Sequence, residues 1–308
     1  MTYCVTHSGF FHADDVFGAA IIQLAMGATP VVRTRDKDII EKAEDDGAII
    51  FDVGLKYDGE ATFDHHQHGG AGARYNGCPY AAAGLLWKAF GQKALFNCQE
   101  VPDGSEAQII QEHVDRILFQ GIDALDNGVC STTTKIPNEE VVDIMSISHI
   151  ISDYNPVEFL EGKNQEQAFQ TAMELAVNTL KRVIINATAK HLGRRLLEKW
   201  AGQSEYPGLL ILEHYVPWSE FAAIRTNIEY VIFESDGKWL CQCAPKSIKS
   251  GFVSRKYLPR EWWAKNNQEL VDITGVEDAV FTHKDGFICG AKTKEGCLRL
   301  AELAQKYE

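Results

Sequence analysis

The sequence lacks a long apolar run. No stretch of its 308 residues approaches the roughly 18 apolar residues that a membrane-spanning helix needs. Its first fifteen residues show neither the basic and then apolar segments of a secretory signal nor the Arg- and Ser-rich pattern of an organelle transit peptide. We therefore expect no membrane partner and a cytoplasmic location.

Positive charge is scarce. Lys and Arg total 30 against 43 Asp and Glu, which gives a formal net charge of −13. An acidic surface repels phosphate backbones, so any nucleic-acid contact needs a local basic surface or bound metal ions. The hydrophobic share of 45% and the charged share of 24% are typical of a soluble globular protein, and the length suits two domains.

Paired cysteine motifs are nearly absent. The eight cysteines are Cys4, Cys78, Cys98, Cys130, Cys241, Cys243, Cys289 and Cys297. This scatter, without an export signal, predicts reduced and mostly buried thiols. Cys241 and Cys243 would share one face of a strand, but without a second Cys or His pair the spacing does not favour a zinc site.

Short apolar runs alternate with helical patterns in the first 90 residues. Strands are predicted at Tyr3–Thr6, Pro30–Arg33, Ala48–Asp52 and Ala61–Asp64. Helices are predicted at Asp14–Met26, Ile39–Asp45 and Tyr80–Phe90, the last one stopped by Gly91. This alternation predicts an α/β fold with a parallel sheet.

The rest of the chain predicts further helices and then a second, smaller domain. The helices are Ser105–Ala124, Asn138–Ile151 and a long connecting helix, Gln165–Trp200. The later strands are Leu209–Tyr215, Tyr230–Glu234, Trp239–Ala244 and a hairpin at Ala279–Cys289, with a closing helix at Lys294–Lys306. We predict an N-terminal parallel-sheet domain at 1–160, a connecting helix at 161–203 and a C-terminal α+β domain at 204–308.

Imidazole and carboxylate groups follow three of the predicted strands. His7, Asp52 and His65 each lie at or just past a strand's carboxyl end, where parallel sheets gather their ligands. The loop into the first helix could add His12 and Asp14. Taken singly, each could be a surface or turn residue. However, an Asp-His-His run is unfavourable both in a strand and in a hydrophobic core. Imidazole and carboxylate ligands together suit Mn²⁺, Fe²⁺ or Zn²⁺, so we predict a metal site.

Two further acids end a predicted helix. Asp123 and Asp126 are three residues apart and lie on nearly the same face. The dipole disfavours negative charge at a helix C-terminus, and a nearby cation would resolve that conflict. The spacing leaves open which of the two would be the ligand.

A family resemblance rests on the segments THSGFFHADD, FDVG, FDHHQ and IDALDNG, with LP-x-x-W at 258–262. Together they resemble the DHH phosphoesterase superfamily and, within it, the melanocyte proliferating gene family of metal-dependent hydrolases. The likeness covers nearly the whole chain. It implies a DHH-type N-terminal domain with two divalent ions, most often Mn²⁺ with Mg²⁺ or Co²⁺ as alternatives, and a C-terminal domain that closes over the substrate. Members of the family are associated with 3′–5′ RNA exonuclease activity.

The resemblance also implies roles for individual residues. The implied ligands are His7, His12 and Asp52 for the first ion, and Asp14, Asp52, His65 and Asp123 for the second, with Asp126 as the alternative to Asp123. Asp52 would bridge the ions, Asp64 would orient a neighbouring imidazole, and His66 would lie near the scissile phosphate. His12 departs from the superfamily, in which many members have Asp, so the first ion would have a more nitrogen-rich shell.

Substrate contacts are predicted from a local basic segment. Residues 246–265 hold six basic residues and one acid, interleaved with four aromatics, which is the composition of a single-strand groove. A solvated loop with core aromatics is the alternative. Within this segment we predict contacts from Lys246, Arg255 and Lys256. His283 resembles the substrate loop of related enzymes.

Two arginines follow a strand on the metal-site edge. Arg33 and Arg35 are either phosphate contacts or partners of Asp36 and Asp38, and Arg33 is the one we predict to bind substrate.

The leading hypothesis is a two-metal phosphodiesterase that acts on single-stranded RNA or short oligonucleotides. No G-x-S-x-G or Walker motif offers another reaction centre. The alternatives are a hydrolase of a small substrate, such as a dinucleotide or pyrophosphate, and a metal-bound RNA-binding protein without turnover. A homodimer is left open.

Overall fold

The computed structural model describes residues 3–98, 104–130, 132–135, 141–162 and 164–307. Contacts divide the chain into two compact units, one ending at Thr188 and one beginning at Ala189. This division falls inside a single helix, Gln165–Gln203, whereas the predicted boundaries lie at 160 and 203. Within the ranges given above, no helix has both the length and the apolar character needed to cross a bilayer.

A parallel sheet forms the centre of the N-terminal unit. Its strands are β1 (Cys4–Thr6), β2 (Val31–Arg33), β3 (Ile49–Phe51) and β4 (Thr62–Phe63). They lie in the order β2-β1-β3-β4, and every neighbouring pair is parallel. The predicted parallel N-terminal sheet is therefore confirmed, and the carboxyl ends of its strands share one edge.

Helices cover this sheet. They are α1 (Ala13–Met26), α2 (Lys37–Asp45) and α3 (Ala82–Cys98). Phe17 of α1, Phe51 of β3 and Trp87 of α3 are almost fully buried in one cluster. Burial of each such side chain contributes roughly 1.5–3 kcal/mol, so these contacts fix where the strand ends sit.

One helical rod follows α3 along the chain. It consists of α4 (Ser105–Val114), a π-helical turn (Asp115–Phe119) and α5 (Gln120–Asp126). Phe119 stacks on Trp87 with ring centroids 4.9 Å apart, and it meets Phe17 edge-on at 6.3 Å. The predicted helix Ser105–Ala124 is present, and the rod places its last turn beside α1 and α3.

The prediction of a helix stop at Gly91 is wrong, because α3 continues to Cys98. A Cβ on Gly91 would come within 3.0 Å of the Trp87 ring and 2.8 Å of Gln111, so close packing explains this glycine.

The predicted helix Asn138–Ile151 is wrong in part. Val141–Asp143 forms strand β6, which pairs antiparallel with β5 (Thr133–Lys135), because β-branched residues favour a strand. Its first three residues, 138–140, lie outside the described ranges. The end of the prediction corresponds to α6 (Ile147–Ser152), and α7 (Glu158–Glu161) follows.

A mixed sheet forms the C-terminal unit. Its strands are β7 (Leu209–Ile211), β8 (Tyr230–Ser235), β9 (Lys238–Cys243), β10 (Ala279–Thr282) and β11 (Ile288–Ala291). The order is β10-β11-β9-β8-β7, and only the β7–β8 pair is parallel. The helices are α8 (Gln165–Gln203), which begins in the first unit, α9 (Ser219–Ile224), α10 (Gln268–Thr274) and α11 (Lys294–Lys306).

The two faces of the β8–β9 pair differ. Cys241, Cys243 and Tyr230 pack into the cluster beneath α11, while Phe233 and Leu240 belong to the opposite side. The C-x-C pair does share one buried face, and burial raises the pKa of Cys243 to about 12. Among the described residues no group suited to a metal ion includes a cysteine.

Candidate metal centre

The candidate site lies at the carboxyl edge of the parallel sheet. His7 follows β1, Asp52 follows β3, and His65 comes two residues after β4. Asp52 has a φ of +55°, in the left-handed region that Asp tolerates better than most side chains. Such strained backbone concentrates at functional sites.

Two groups of side chains meet at this edge. In the first, His7 Nε2 is 3.3 Å from Asp52 Oδ2 and 3.5 Å from Asp15 Oδ2. In the second, His65 Nε2 is 3.2 Å from Asp126 Oδ2 and 3.7 Å from Asp14 Oδ2. Within each group one atom from every residue lies within 4.8 Å of the others, as cation ligands would.

Asp52 links the two groups. Its Oδ2 faces His7, while its Oδ1 is 3.7 Å from His65 Nε2 and 3.5 Å from His66 Nδ1. Asp52, His65 and His66 themselves form a third set with ligand spacing. One carboxylate therefore faces both halves of the site, as a bridging ligand would.

The donor set fits divalent cations. Asp15 Oδ2 and His65 Nε2 are buried, and neither has a hydrogen bond of good geometry within the described ranges. An unsatisfied buried polar atom costs about 1–3 kcal/mol, and more if it is charged. Mixed imidazole and carboxylate ligands suit Mn²⁺, Fe²⁺ or Zn²⁺, whose binding would remove that cost.

The N-terminus of α3 holds two of the acids. Asp14 accepts hydrogen bonds from the backbone N–H groups of Ala82 at 2.8 Å and Ala83 at 2.6 Å, and Asp123 accepts one from Gly84 at 3.2 Å. Free N–H groups and the helix dipole both favour negative charge at this end. The start of α3 therefore stabilises negative charge on both carboxylates.

Arg74 neutralises Asp123. Its guanidinium donates to both carboxylate oxygens of Asp115, at 2.7 and 2.6 Å, and its Nη1 is 2.7 Å from Asp123 Oδ2. Asp123 therefore has a buried cationic partner already, and its contacts do not support the predicted ligand role. The structure places Asp126 beside His65 instead. Sequence spacing could not show this, because Arg74 lies in a distant Gly-rich segment.

His12 also lies outside the ligand groups, and Asp15 occupies the place predicted for it. His12 is the exposed N-cap of α1, and its ring centroid is 6.0 Å from that of His7. The His12 backbone N–H donates to Asp15 Oδ1 at 2.8 Å. This capping contact draws the Asp15 carboxylate back toward the sheet edge, so that its other oxygen faces His7.

Asp64 holds the loop that carries the two histidines. It accepts hydrogen bonds from the backbone N–H groups of Leu55 at 2.6 Å, His65 at 2.7 Å and His66 at 3.1 Å. His66 Nδ1 lies 2.8 Å from the same carboxylate, while the His66 side chain is 55% exposed. Asp64 therefore orients His66 at the mouth of the site, with Nε2 left for a ligand.

The crowding of acids shifts several pKa values. Burial raises the pKa of Asp15 to about 7, against the opposing effect of His7. Burial lowers the pKa of His65, but the nearby carboxylates of Asp126, Asp52 and Asp14 outweigh it and raise the value to about 11. Burial raises the pKa of Asp52, yet His65 and His7 bring it to about 2. The acids around His7 and His65 thus favour positive charge at this edge of the sheet.

Arg33 and Arg35 support the loop that follows β1. Arg33 donates to the Gly9 carbonyl at 2.6 Å and lies over the Phe169 ring at 4.5 Å, and Arg35 donates to the Ser8 carbonyl at 3.1 Å. Neither arginine forms an ion pair with Asp36 or Asp38 in the described part of the chain. The predicted substrate contact of Arg33 stays a prediction.

Most of the cations predicted in the C-terminal unit have internal partners. Arg255 donates to the carbonyls of Ala222 and Ala223 at 3.0 Å, and Lys256 donates to the Gln305 carbonyl at 2.8 Å. These contacts do not support the substrate roles predicted for the two residues. His283 Nδ1 accepts a hydrogen bond from the Asp285 backbone at 3.2 Å, whereas Lys246 is exposed.

Residues 3–305 match the family model MYG1_exonuc, described as an uncharacterised protein family (UPF0160). The chain belongs to this family. The predicted membership of the melanocyte proliferating gene family is thereby confirmed.

Relatives in the MYG1 family match over most of their length. A MYG1 protein of Dictyostelium discoideum is 30% identical, over 98% of this chain and 95% of its own. A MYG1 exonuclease of Mus musculus is 27% identical, over 98% of this chain and 84% of its own. Among solved structures, a pGpG-specific phosphodiesterase, PggH from Vibrio cholerae, is 13% identical over 98% of this chain and 97% of its own, with a TM-score of 0.32. A TM-score this low carries no weight for fold or function.

Proposed function

We propose that this protein is a metal-dependent hydrolase that cleaves phosphodiester bonds of RNA or short oligonucleotides, as a two-ion enzyme of the manganese type that proceeds from the 3′ end. The observation that carries the proposal is the pair of ligand groups joined by Asp52, with buried ligand atoms that lack partners in the described ranges. The word exonuclease in the names of MYG1 relatives is consistent with it.

Each group would hold one ion. His7, Asp15 and Asp52 would bind the first, and Asp14, His65 and Asp126 the second. Ions of this kind act as Lewis acids toward phosphate and make water a stronger nucleophile near neutral pH.

His66 is the candidate proton donor. Hydrolysis forms a bond from the water oxygen to phosphorus and breaks the bond from phosphorus to the leaving oxygen, which must gain a proton. The hydrogen bond with Asp64 raises the pKa of His66 and leaves Nε2 to donate that proton. Because the ring is half exposed at the mouth of the site, a substrate can reach it.

The central test is Asp52→Asn, compared with Asp38→Asn as a control on the exposed surface of α2. Protein stripped with EDTA should be inactive on RNA labelled at its 5′ end, and Mn²⁺ should restore activity. Asp52→Asn should lower kcat by several orders of magnitude, while the control should match the wild type. Near-normal turnover by Asp52→Asn would refute the assignment.

The same assay reports the substrate and the direction. A ladder of shortening 5′-labelled products means cleavage from the 3′ end, whereas immediate release of a labelled mononucleotide means the opposite direction. Parallel incubations with a dinucleotide and pyrophosphate test the small-substrate alternative. Binding of RNA without cleavage at saturating Mn²⁺ would favour the protein without turnover.

A further inference from the structure

We propose that a pocket in the C-terminal unit binds one nucleobase of a single-stranded nucleic acid. The pocket lies between α9, the face of the β8–β9 pair turned away from α11, and the 245–251 loop. Its volume is about 630 Å³, within the roughly 300–1,000 Å³ of small-molecule pockets. The inference rests on the proposed function for its choice of ligand.

The floor of the pocket is aromatic. Phe233 and Trp218 are nearly buried, with ring centroids 6.2 Å apart. Tyr215 stands edge-on to Phe233 at 6.1 Å, yet its side chain is 66% exposed. Packing against Phe233 therefore holds one side of this tyrosine, and the exposed remainder of the ring is available to stack on a base.

Gln242 is the polar residue that the sheet contributes to the pocket, whose lining also includes Ser219, Ser247 and the ion pair of Lys190 with Glu220. Gln242 alternates with Cys241 and Cys243, so its side chain lies opposite the thiol cluster and lines the pocket. Within the described ranges its amide makes no hydrogen bond with another residue. An amide offers a donor and an acceptor together, which is what the edge of a nucleobase requires.

Arg255 explains how the pocket is built. Its guanidinium donates to four backbone carbonyls at the end of α9 and just beyond, those of Ala222, Ala223, Arg225 and Ile228. A cation at a helix C-terminus satisfies carbonyls that lack partners and offsets the dipole. Arg255 thereby ties the basic segment to α9, and the pocket lies between them.

The 245–251 loop places two lysines at the rim of the pocket. Lys246 and Lys249 are exposed, and they flank Ser247 and Ile248, which line the pocket. Phe252, next to the lining residue Gly251, is fully exposed. An aromatic floor with lysines at its rim suits a base with its phosphates, since stacking and charge act together in single-strand binding.

The decisive experiment measures binding in EDTA, where no cleavage occurs, with a fluorescein-labelled five-nucleotide adenine RNA and the full chain. Tyr215→Ala should weaken binding about 5- to 100-fold, as expected for one lost base–aromatic stack. Tyr215→Trp should bind within about twofold of the wild type. The control Tyr307→Ala removes a partly exposed tyrosine of the same unit outside the pocket and should have no effect.

Competition identifies the ligand. Adenosine should displace the labelled RNA from the wild type and lose potency with Tyr215→Ala, while ribose 5-phosphate should be at least tenfold less effective. Gln242→Leu, which suits the apolar face and should fold, should weaken adenosine binding as well. Equal binding by the wild type and Tyr215→Ala, or equal competition by ribose 5-phosphate, would overturn the proposal.

Failure of this inference is distinguishable from failure of the proposed function. If the wild type binds adenosine through Tyr215 but never cleaves RNA with Mn²⁺, the proposed function fails and the pocket stands. If Mn²⁺-dependent cleavage is normal in Tyr215→Ala and RNA binding is also unchanged, the pocket fails and the proposed function stands.

Discussion

Gly84→Ala tests how closely α3 approaches the candidate metal centre. A Cβ at position 84 would lie 1.9 Å from Asp123 Oδ2 and 2.8 Å from Arg74 Nη2. Ordinary contacts need about 3.5 Å, so the carboxylate or the helix would have to move by roughly 1.5 Å. Gly121→Ala, on α5 two residues before Asp123, is the matched control, because a Cβ there meets nothing within 4 Å.

The expected loss of stability follows from three effects. Overpacking costs about 1–3 kcal/mol, and loss of the charged hydrogen bond from the Gly84 N–H to Asp123 costs about 1.5–3 kcal/mol. Replacing a helical glycine by alanine raises the free energy of unfolding by up to ~1 kcal/mol, because alanine has the higher helix propensity. The free energy of unfolding should therefore fall by about 2–5 kcal/mol for Gly84→Ala, and it should stay level or rise by up to ~1 kcal/mol for Gly121→Ala.

The assay is guanidinium denaturation followed by circular dichroism, with Mn²⁺ affinity measured by calorimetry. Gly84→Ala should shift the midpoint at an unchanged slope and weaken Mn²⁺ binding, since the candidate ligand Asp14 is held by the backbone at the start of α3. A Gly84→Ala protein as stable as the wild type, with normal Mn²⁺ affinity, would refute the reasoning.

Three further predictions follow from the site and the thiols. Arg74→Met should lower the free energy of unfolding by about 3–5 kcal/mol, because it leaves Asp123 buried without its cation. Adding Asp123→Asn to that variant should restore part of the lost stability. A double-mutant cycle that shows no such restoration would contradict the pairing of Arg74 with Asp123. Mn²⁺ binding should release protons and strengthen as pH rises through 7 and above, because Asp15 with a pKa of about 7 and His65 with a pKa of about 11 must lose protons to bind the ion. Calorimetry in two buffers of different ionisation enthalpy measures the proton release. A binding enthalpy that does not depend on the buffer would contradict this prediction. Among the described thiols, exposed Cys130 should react first with a disulfide reagent, and the five buried ones only after denaturation; fast reaction of more than the three accessible thiols would contradict their burial.

The sheet and the strand-end residues could be predicted because they depend on local patterns. Apolar runs that alternate with helical periodicity predict a parallel sheet, and a parallel sheet brings His7, Asp52 and His65 to one edge. The structure has all three there. Burial of Cys241 and Cys243 on one face followed from the two-residue period of a strand.

What could not be predicted depends on partners far away in the sequence. Nothing local indicates that Arg74 reaches Asp123, and so the choice between Asp123 and Asp126 stayed open. Basic composition cannot distinguish a cation that faces solvent from one that caps a helix, as Arg255 does. That Asp15 and not His12 faces His7 could in principle have been predicted, because the two residues have the three-residue spacing of a capping box.

The π-helical turn at Asp115–Phe119 holds about one residue more than an α-helical turn, within the rod that ends at the candidate metal centre. Each residue of an α-helix advances the chain by about 100° around the axis, since a turn holds 3.6 residues. Because the π turn absorbs an extra residue by widening, deleting one residue there would leave a plain α-helix with Asp126 still facing His65, whereas one residue inserted in α5 before Asp126 would rotate that side chain away by about that angle. The position of Asp126 should therefore survive the loss of one codon in the π turn, but not the gain of one codon in the α-helix that follows it.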